Sequence, residues 1–551
     1  MCQKNDVILE SVKNYKYLGV ILDQELDFKM QVDYAVGKAK RAGAKVSSLI
    51  VGRKGLPIQI GVDLYKSLVR PHLEYALSVW ANITDKDLEK LEVTQIQCLR
   101  RIIGAKTHSS SAAIEVITGI IPMRFRKREL CMREYIRILT KDDGHELINL
   151  LTSSIRVGLR FCPLEYIRVM SKELDRTIAG YNLIKPEIAL SNTKLVTASV
   201  FGINDFNGDI SSASYSSQFS DVNLLISTLQ GQNIMIFTDG SVWEGSVGSG
   251  SCASVLFPKS EDNDGVWIQT LAVGTKVSAF ECEVEGVGLG ITTAIQYLQK
   301  TCSRNTVEDV YIFRDCENAI NSIDHMNFKR RPDIFLKFQH YRNQLQIQSI
   351  RINLVKVAGH DGLYGNELAD KHSRDMSKMI AHRNISAPSN ITIDDAYKIA
   401  NEISMKSWQR YWDHESKGRY TYNMIPSVGT KVIFPHCRDI GISYCRILLH
   451  DTMLKSDSYR TGTSDTASCE CGKGEETIEH FLLHCGIYAE ARSDMMDCLK
   501  DIGCVSRSKA NFTASESLLL APPSDNSISR NHINTIKEAV FQYISDTKRM
   551  L

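Results

Sequence analysis

Two aspartates follow short apolar runs in this chain of 551 residues. The first run is Asn233-Ile-Met-Ile-Phe-Thr-Asp239, continuing into Gly240-Ser241, and the second is Val310-Tyr-Ile-Phe-Arg-Asp315. Short apolar runs stopped by turn formers read as buried strands, which puts each aspartate at a strand's carboxyl end, where open α/β sheets bind their ligands. Two further carboxylates stand at helical positions. Glu283 lies near the start of a helical stretch from Ala279 to Leu298, and Asp370 lies on a helix expected to begin near Glu367, after the glycine-rich AGHDGLYGN at 358–366. Crowded carboxylates repel and raise one another's pKa values, so a divalent cation is their natural partner. Oxygen ligands select Mg²⁺ or Mn²⁺, and four carboxylates can hold two such ions about 3.5 to 4 Å apart for an in-line phosphoryl displacement. Any one of these aspartates alone is more often a turn former or helix cap. Only the set carries the chemistry.

A second group has metal-ligand spacing. Cys469-x-Cys471-x8-His480-x4-Cys485 supplies three thiolates and one imidazole, a set suited to a closed tetrahedral Zn²⁺ site. Its Cys-x-Cys step is tighter than the usual spacing, His484 is an alternative to His480, and chance clustering among fifteen cysteines is the plain alternative.

The elements that must position these groups change along the chain. The first segment opens with a β-like run, Tyr17 to Leu22, and turns helical from Val32 to Leu49 and from Lys86 to Ile103, where Leu88, Leu91, Val93, Ile96 and Leu99 share one face. Its basic cluster Arg124-Phe-Arg-Lys-Arg128 reads either as a phosphate contact or as a solvated helix start after Pro122. A serine-rich stretch, Ser211 to Ser220, and the polar stretch His382 to Thr392 around Pro388 mark linkers on either side of the carboxylates. Between them a strand is expected from Ile350 to Val357, where apolar and polar residues alternate.

TDGS at 238–241, SAFECEVEG at 278–286, RDCENAI at 314–320 and GHDGLYGNELAD at 359–370 resemble, in order and spacing, the four motifs of type 1 ribonucleases H. That resemblance implies a mixed five-stranded sheet with flanking helices over 231–380, two Mg²⁺ or Mn²⁺ ions on Asp239, Glu283, Asp315 and Asp370, and hydrolysis of the RNA strand of RNA-DNA hybrids. It implies that His360 assists proton transfer or product release from a mobile loop. It also implies substrate contacts from Ser241, Glu317, Asn318 and Asn366. Register selects Glu283, with Glu281 and Glu285 as fallbacks. Cys316-Glu317 stands where the family often has Ser-Gln, and the polar pair ahead of the helix glutamate is missing.

KYLGVILDQELDF at 16–28, LVRPHLEYALSVW at 68–80 and RRIIGAKTHSSSAAIEVITGIIPM at 100–123 are similar to the segment after the palm in reverse transcriptases of jockey- and I-type non-LTR retrotransposons. This implies an α-rich, thumb-like remnant over 1–165. No Tyr/Phe-x-Asp-Asp strand accompanies it, since Asp142-Asp143 read as a turn, so no polymerase activity is expected. A linker region over 166–230, a short linker over 381–400 and an α-rich region over 401–551 complete the plan. The cysteine-histidine group at 469–485 resembles the zinc knuckle of these elements, which would bind single-stranded nucleic acid or stabilise the fold. The chain is expected to be a truncated polyprotein. A catalytically inactive nucleic-acid-binding remnant is the alternative to a nuclease.

Composition agrees with a multidomain globular protein: 43% of residues are hydrophobic and 24% charged, which excludes mainly disordered, collagenous or coiled-coil classes. The net charge of +2 hides a basic front. Residues 1–160 carry 26 Lys+Arg against 18 Asp+Glu, and the remainder 40 against 46. No apolar run reaches the roughly 18 residues of a membrane span, and charges interrupt the N-terminus where a secretory signal would be apolar. The expectation is an intracellular protein of nucleus or cytoplasm, not secreted and without a membrane partner; its oligomeric state is not readable from sequence.

Overall fold

The computed structural model describes the chain outside residues 1–2, 5–6, 9–11, 51–54, 142–144, 153–162, 184–209, 213–221, 231–232, 246, 260–264, 302–307, 325–331, 349, 358, 360–361, 384, 388–389, 502–515, 523–528 and 550. Asp142, Asp143 and most of the serine-rich stretch lie outside the described residues. Two compact units emerge. One comprises Met1–Glu134, Ser154–Ser171 and Asn401–Leu551, and the other Tyr135–Ser153 and Lys172–Ala400.

The first unit begins with a hairpin of β1 (Asn14–Tyr17) and β2 (Val20–Asp23). The run expected as one β-like stretch from Tyr17 bends at Leu18-Gly19, both with positive φ, as a two-residue hairpin turn requires. Helices α1 (Lys29–Ile50), α2 (Asp85–Ile103), α3 (Ser111–Thr118) and α4 (Met123–Leu139) follow. Local chemistry fixes their ends. Thr84 Oγ1 accepts from the Asp87 amide at 3.2 Å to start α2, and Ser110 Oγ accepts from the Ala113 amide to start α3. Gly104 and Gly119, both left-handed, stop the two helices.

The basic cluster at the start of α4 is committed internally. Arg124 forms a fork with Glu92, Arg126 pairs with Glu74 and Glu129, buried Lys127 donates to the Ala81 carbonyl, and Arg128 donates to Ser407. It therefore helps hold its own unit together, with Arg124 still exposed at the surface.

The second unit is built on one mixed sheet. Its strands are β3 (Ile210–Ser212), β4 (Ile234–Trp243), β5 (Val247–Phe257), β6 (Trp267–Ser278), β7 (Glu308–Arg314) and β8 (Ile350–Lys356), in the order β3-β8-β7-β4-β5-β6. Five long strands form the expected sheet, and three-residue β3 extends its edge. The pairs β4-β7, β7-β8 and β8-β3 are parallel, whereas β4-β5 and β5-β6 are antiparallel.

Strand alternation sorts the side chains onto two faces. Ile234, Ile236, Val310 and Ile312 pack under α5 (Ala279–Thr301), α6 (Glu317–Asp324) and α7 (Pro332–Gln348). Met235, Phe237, Tyr311 and Phe313 pack on the other face, against α8 (Tyr364–Ala381) and the helix Val222–Leu229. Within 166–230, where a linker is expected, the described residues thus include helical turns that bury Leu174, Leu225 and Leu229. Helix α8 begins at Tyr364, three residues before the expected start.

The first unit resumes at Asn401, within α9 (Ile393–His414), and continues with α10 (Arg438–Leu449), α11 (Ala489–Asp501) and α12 (Arg530–Asp546). Its N- and C-terminal parts share a single core, which includes Trp80, Leu99 and Ile103 together with Trp408, Trp412, Tyr444 and Phe481. The joint has a polar seal. Arg438, mostly buried, donates to the carbonyls of Arg101 at 3.1 Å and Ile102 at 2.9 Å, and Arg446 donates to that of Gly104 at 3.1 Å. These carbonyls end α2 and have no partner within the helix, and the cations also meet the negative end of its dipole. Replacing Arg438 by Met should cost about 2–4 kcal/mol by orphaning buried carbonyls. Urea denaturation of the full chain, with hydrogen exchange at the last turn of α2, would show it; unchanged exchange there would refute the capping role.

Candidate functional site

The carboxylates meet at one end of the β4-β7 pair. Asp239, Glu283 and Asp315 each offer an oxygen, and these oxygens lie within 4.8 Å of one another. Asp315 directly follows β7, as expected. Asp239 does not end its strand: β4 runs on to Trp243, because β5 pairs with it through Trp243↔Ser249, and the turn comes at Glu244-Gly245, both with positive φ. The glycine that reads as a turn former serves proximity instead. A Cβ at Gly240 would stand 2.3 Å from the Cys282 carbonyl carbon and 2.4 Å from the Glu283 amide, so only glycine lets the first turn of α5 reach the strand beside Asp239. Gly359 also lies close to the group, though less constrained, since a Cβ there would stand 2.8 Å from a side-chain atom, Asp315 Oδ2.

Each carboxylate has a holder. Ser373 Oγ, on α8, donates to Asp239 Oδ2 at 2.5 Å. Arg314, fully buried, donates to the Glu283 carbonyl at 2.8 Å and pairs with Glu283 Oε2, while its Nε has no hydrogen-bond partner. Burial raises the Asp239 carboxyl, with Asp315 adding to the effect against the Ser373 hydrogen bond. Burial likewise pushes Glu283 up to about 8, outweighing the opposite pull of Arg314, with Asp239 and Asp315 reinforcing it.

The three glutamates of SAFECEVEG separate cleanly. Glu283 joins the group. Glu281 accepts from the Ser278 amide at 3.0 Å and from its hydroxyl at 3.3 Å at the start of α5, and Glu285 pairs with Lys337 at 2.5 Å. Asp370 lies on α8, one turn before Ser373, and its carboxylate pairs with Arg374 rather than joining the three. His360 lies outside the described residues.

Among the expected substrate contacts, Ser241 is half-buried on β4, two residues beyond Asp239 and opposite Ser251. Glu317 is exposed and paired with Lys356, and Asn318 is exposed one residue on. Asn366 is buried, and its Oδ1 has no hydrogen-bond partner. Arg314 and Ser373 were not anticipated from sequence. Arg314 had a signal: it takes the third place of the apolar face Val310-Ile312, where a charge needs a reason. Ser373 had only its spacing of three from Asp370.

The cysteine-histidine group also assembles. Cys469, Cys471, His480 and Cys485 bring their ligand atoms within 4.8 Å, with Cys469 Sγ 3.6 Å from Cys485 Sγ and Cys471 Sγ 3.2 Å from His480 Nε2. The tight Cys-x-Cys step is accommodated by Gly472 and Gly474, both with positive φ, and by the Cys469 amide donating to the Gly474 carbonyl at 2.8 Å. A hydrogen bond from the Lys473 amide helps lower the Cys471 thiol to about 6. His484 is exposed and lies 3.9 Å from Glu479, outside the group.

The donor chemistry of the two groups differs as their expected ions do. Three hard oxygens suit a small divalent cation, and three sulfurs with one imidazole nitrogen suit zinc. Among the described residues no helix is long and apolar enough to cross a membrane.

Residues 231–378 match the RNase H family, by its sequence profile. Over 134 residues, 24% of this chain, the sequence is 30% identical to the RNA-directed DNA polymerase from mobile element jockey of Drosophila funebris. Over 111 residues, 20% of the chain, it is 32% identical to the jockey protein of Drosophila melanogaster. The matches span 15% and 12% of those two relatives. Among solved structures, the N-terminal RNase H domain of a Mycobacterium tuberculosis protein, fused to maltose-binding protein, is 16% identical, with 28% of this chain and 99% of that chain covered and a TM-score of 0.22.

Raised carboxyls make stability depend on pH. Glu283 ordinarily titrates at 4.5 and here at about 8, so the native state keeps a proton that the unfolded chain gives up. The stability this contributes is complete below the unfolded value and is lost as pH rises through about 8. Without divalent ions, the second unit should therefore melt at falling temperature across that window. Glu283→Gln should flatten the profile, and an identical slope in the variant would argue against the raised carboxyl.

Proposed function

We propose that the RNase H domain at 231–378 hydrolyses the RNA strand of RNA-DNA hybrids with Mg²⁺ or Mn²⁺ held by Asp239, Glu283 and Asp315. The observation that carries this reading is the convergence of those three carboxylates, in a segment matching the RNase H family. When bound, the ions would supply an activated water and charge stabilisation for phosphoryl displacement.

The chain's own residues prepare that site. Ser373 holds one oxygen of Asp239. Arg314 fixes both the main chain and the carboxylate of Glu283. Asp370 is the proposed fourth ligand. Its partner Arg374 is more than half exposed, and pairs of that kind contribute little, about 0–1 kcal/mol, so the carboxylate is released at small cost. Ser241, half-buried on the same strand face as Asp239, is placed to meet the hybrid, and Asn366 is assigned to it by motif, although its unpaired Oδ1 is buried. Glu317 and Asn318 are accessible for a contact to its backbone, and His360 is assigned to proton transfer or product release by motif.

The Asp370–Arg374 pair also favours a second reading, a hybrid-binding protein that does not cut. The two are separated with the full chain and a hybrid labelled on its RNA strand. Cleavage is expected with Mg²⁺ or Mn²⁺ and not with EDTA. Asp239→Asn should lower its rate on the order of a hundredfold or more. Tight binding without cleavage in either ion would favour the second reading.

For the second group we propose a structural zinc. The surrounding chain supports this role over a free nucleic-acid knuckle: Phe481 and Leu482, between two of the ligands, belong to the first unit's core. Around them Tyr543 donates to the Phe481 carbonyl, Arg492 to that of Cys485, and Arg549 pairs with Glu476 at 2.9 Å. Metal analysis of the full chain should find one zinc, and its removal by a chelator should lower the melting temperature of the first unit. Loss of single-strand binding with no change in melting would instead favour the knuckle.

A further inference from the structure

Helix α12 carries a lysine where its period calls for an apolar residue. Ile536, Val540 and Ile544 form its buried stripe, and Lys537 lies within that stripe, almost wholly buried. Its Nζ donates to Tyr444 Oη at 2.5 Å and to the Leu520 carbonyl, and stands 5.0 Å from the centre of the Tyr444 ring. Both hydrogen-bond acceptors are neutral. Among the described residues no carboxylate pairs with Lys537, and burial alone pulls its amine down to about 7.

This lysine lines a cavity of about 1460 Å³ within the first unit. Ile433, Phe434 and Leu518 supply apolar wall, and Lys537, Lys431, His436 and Asp63 supply charged or titratable groups. Part of the wall is itself unusual. Val432-Ile433-Phe434 are three consecutive apolar residues outside any helix or strand, each only half-buried. A buried ammonium without a counter-charge is costly, and an apolar residue of similar volume would fill the stripe better. An apolar cavity with a few convergent polar groups is the usual form of a small-molecule site.

We propose that this cavity binds a small amphipathic anion, an apolar chain or ring bearing one carboxylate or phosphate, whose head group pairs with Lys537 and takes the ammonium's third donor, Tyr444 being committed to the Leu520 carbonyl at 2.7 Å. The apolar body would cover Ile433 and Phe434, and the anion would supply the charge that Lys537 lacks. The site is independent of the carboxylate group and of any nuclease activity.

Calorimetric titration of the full chain with laurate, dodecyl phosphate and dodecanol tests the proposal. At neutral pH at least one anion should bind tenfold or more tightly than the alcohol, and the ratio of the two anions tells carboxylate from phosphate. Lys537→Met should weaken anion binding at least tenfold, leave the alcohol unchanged, and melt at or above the wild-type temperature without ligand. Equal binding of anion and alcohol, or no binding, would overturn it. So would a variant that melts well below wild type while keeping its anion affinity, since Lys537 would then be a structural donor to Leu520. Should the variant not fold, the wild-type comparison of laurate with dodecanol still decides.

Discussion

Three carboxylates held within 4.8 Å of one another are the constraint around which the second unit is arranged. Like charges at that distance, largely out of water, resist being ionised together. The neighbouring sequence answers this resistance residue by residue. Parallel pairing of β4 and β7 sets Asp239 and Asp315 side by side, and Gly240 removes the side chain that would hold α5 away. Arg314 and Ser373 hold two of the three from opposite faces of the sheet. The packed layers on either side, with Phe237 stacked on Phe313 at 4.9 Å, keep the strand ends from spreading.

Much of this was legible in the sequence because the signals were local. Apolar runs gave β4 and β7, helical period gave α1, α2 and α5, and the Cys-x-Cys-x8-His-x4-Cys spacing gave the second ligand group. Where the reading departed from the structure, the deciding force was tertiary. Gly240-Ser241 looks like a turn in isolation, but β5 continues to pair beyond it, and the glycine answers to α5 rather than to a turn. The basic run at Arg124 looks like a phosphate surface until Glu74 and Glu92 arrive from elsewhere in the same unit, beside Glu129 on the helix itself. Arg374 is an acid's neighbour by helical spacing alone, yet whether Asp370 turns to it or to the other carboxylates is not a property of the sequence between them.

The first unit follows a different logic. Its core is shared by segments from both sides of the second unit, and its internal polar contacts are the seams of that assembly: Arg438 on the end of α2, and Asp451 accepting from Ser109 and meeting His108 at 2.9 Å. The cysteine-histidine group borders the same core, so that metal chemistry and hydrophobic packing meet around Phe481 and Leu482.

That shared core has a bearing on the order in which the protein takes shape during synthesis. The bond from Arg438 to Ile102 joins residues 336 positions apart, whereas all the strands of the second unit's main sheet lie between residues 210 and 356. At about 5–20 residues per second, α1 to α3 wait tens of seconds after emerging from the ribosome before α9 to α12 exist to cover them. The middle of the chain can finish first. During that interval α1 and α2 can cover each other, but the parts of α2 and α3 that α10 packs against stay bare, which makes them a natural target for chaperones.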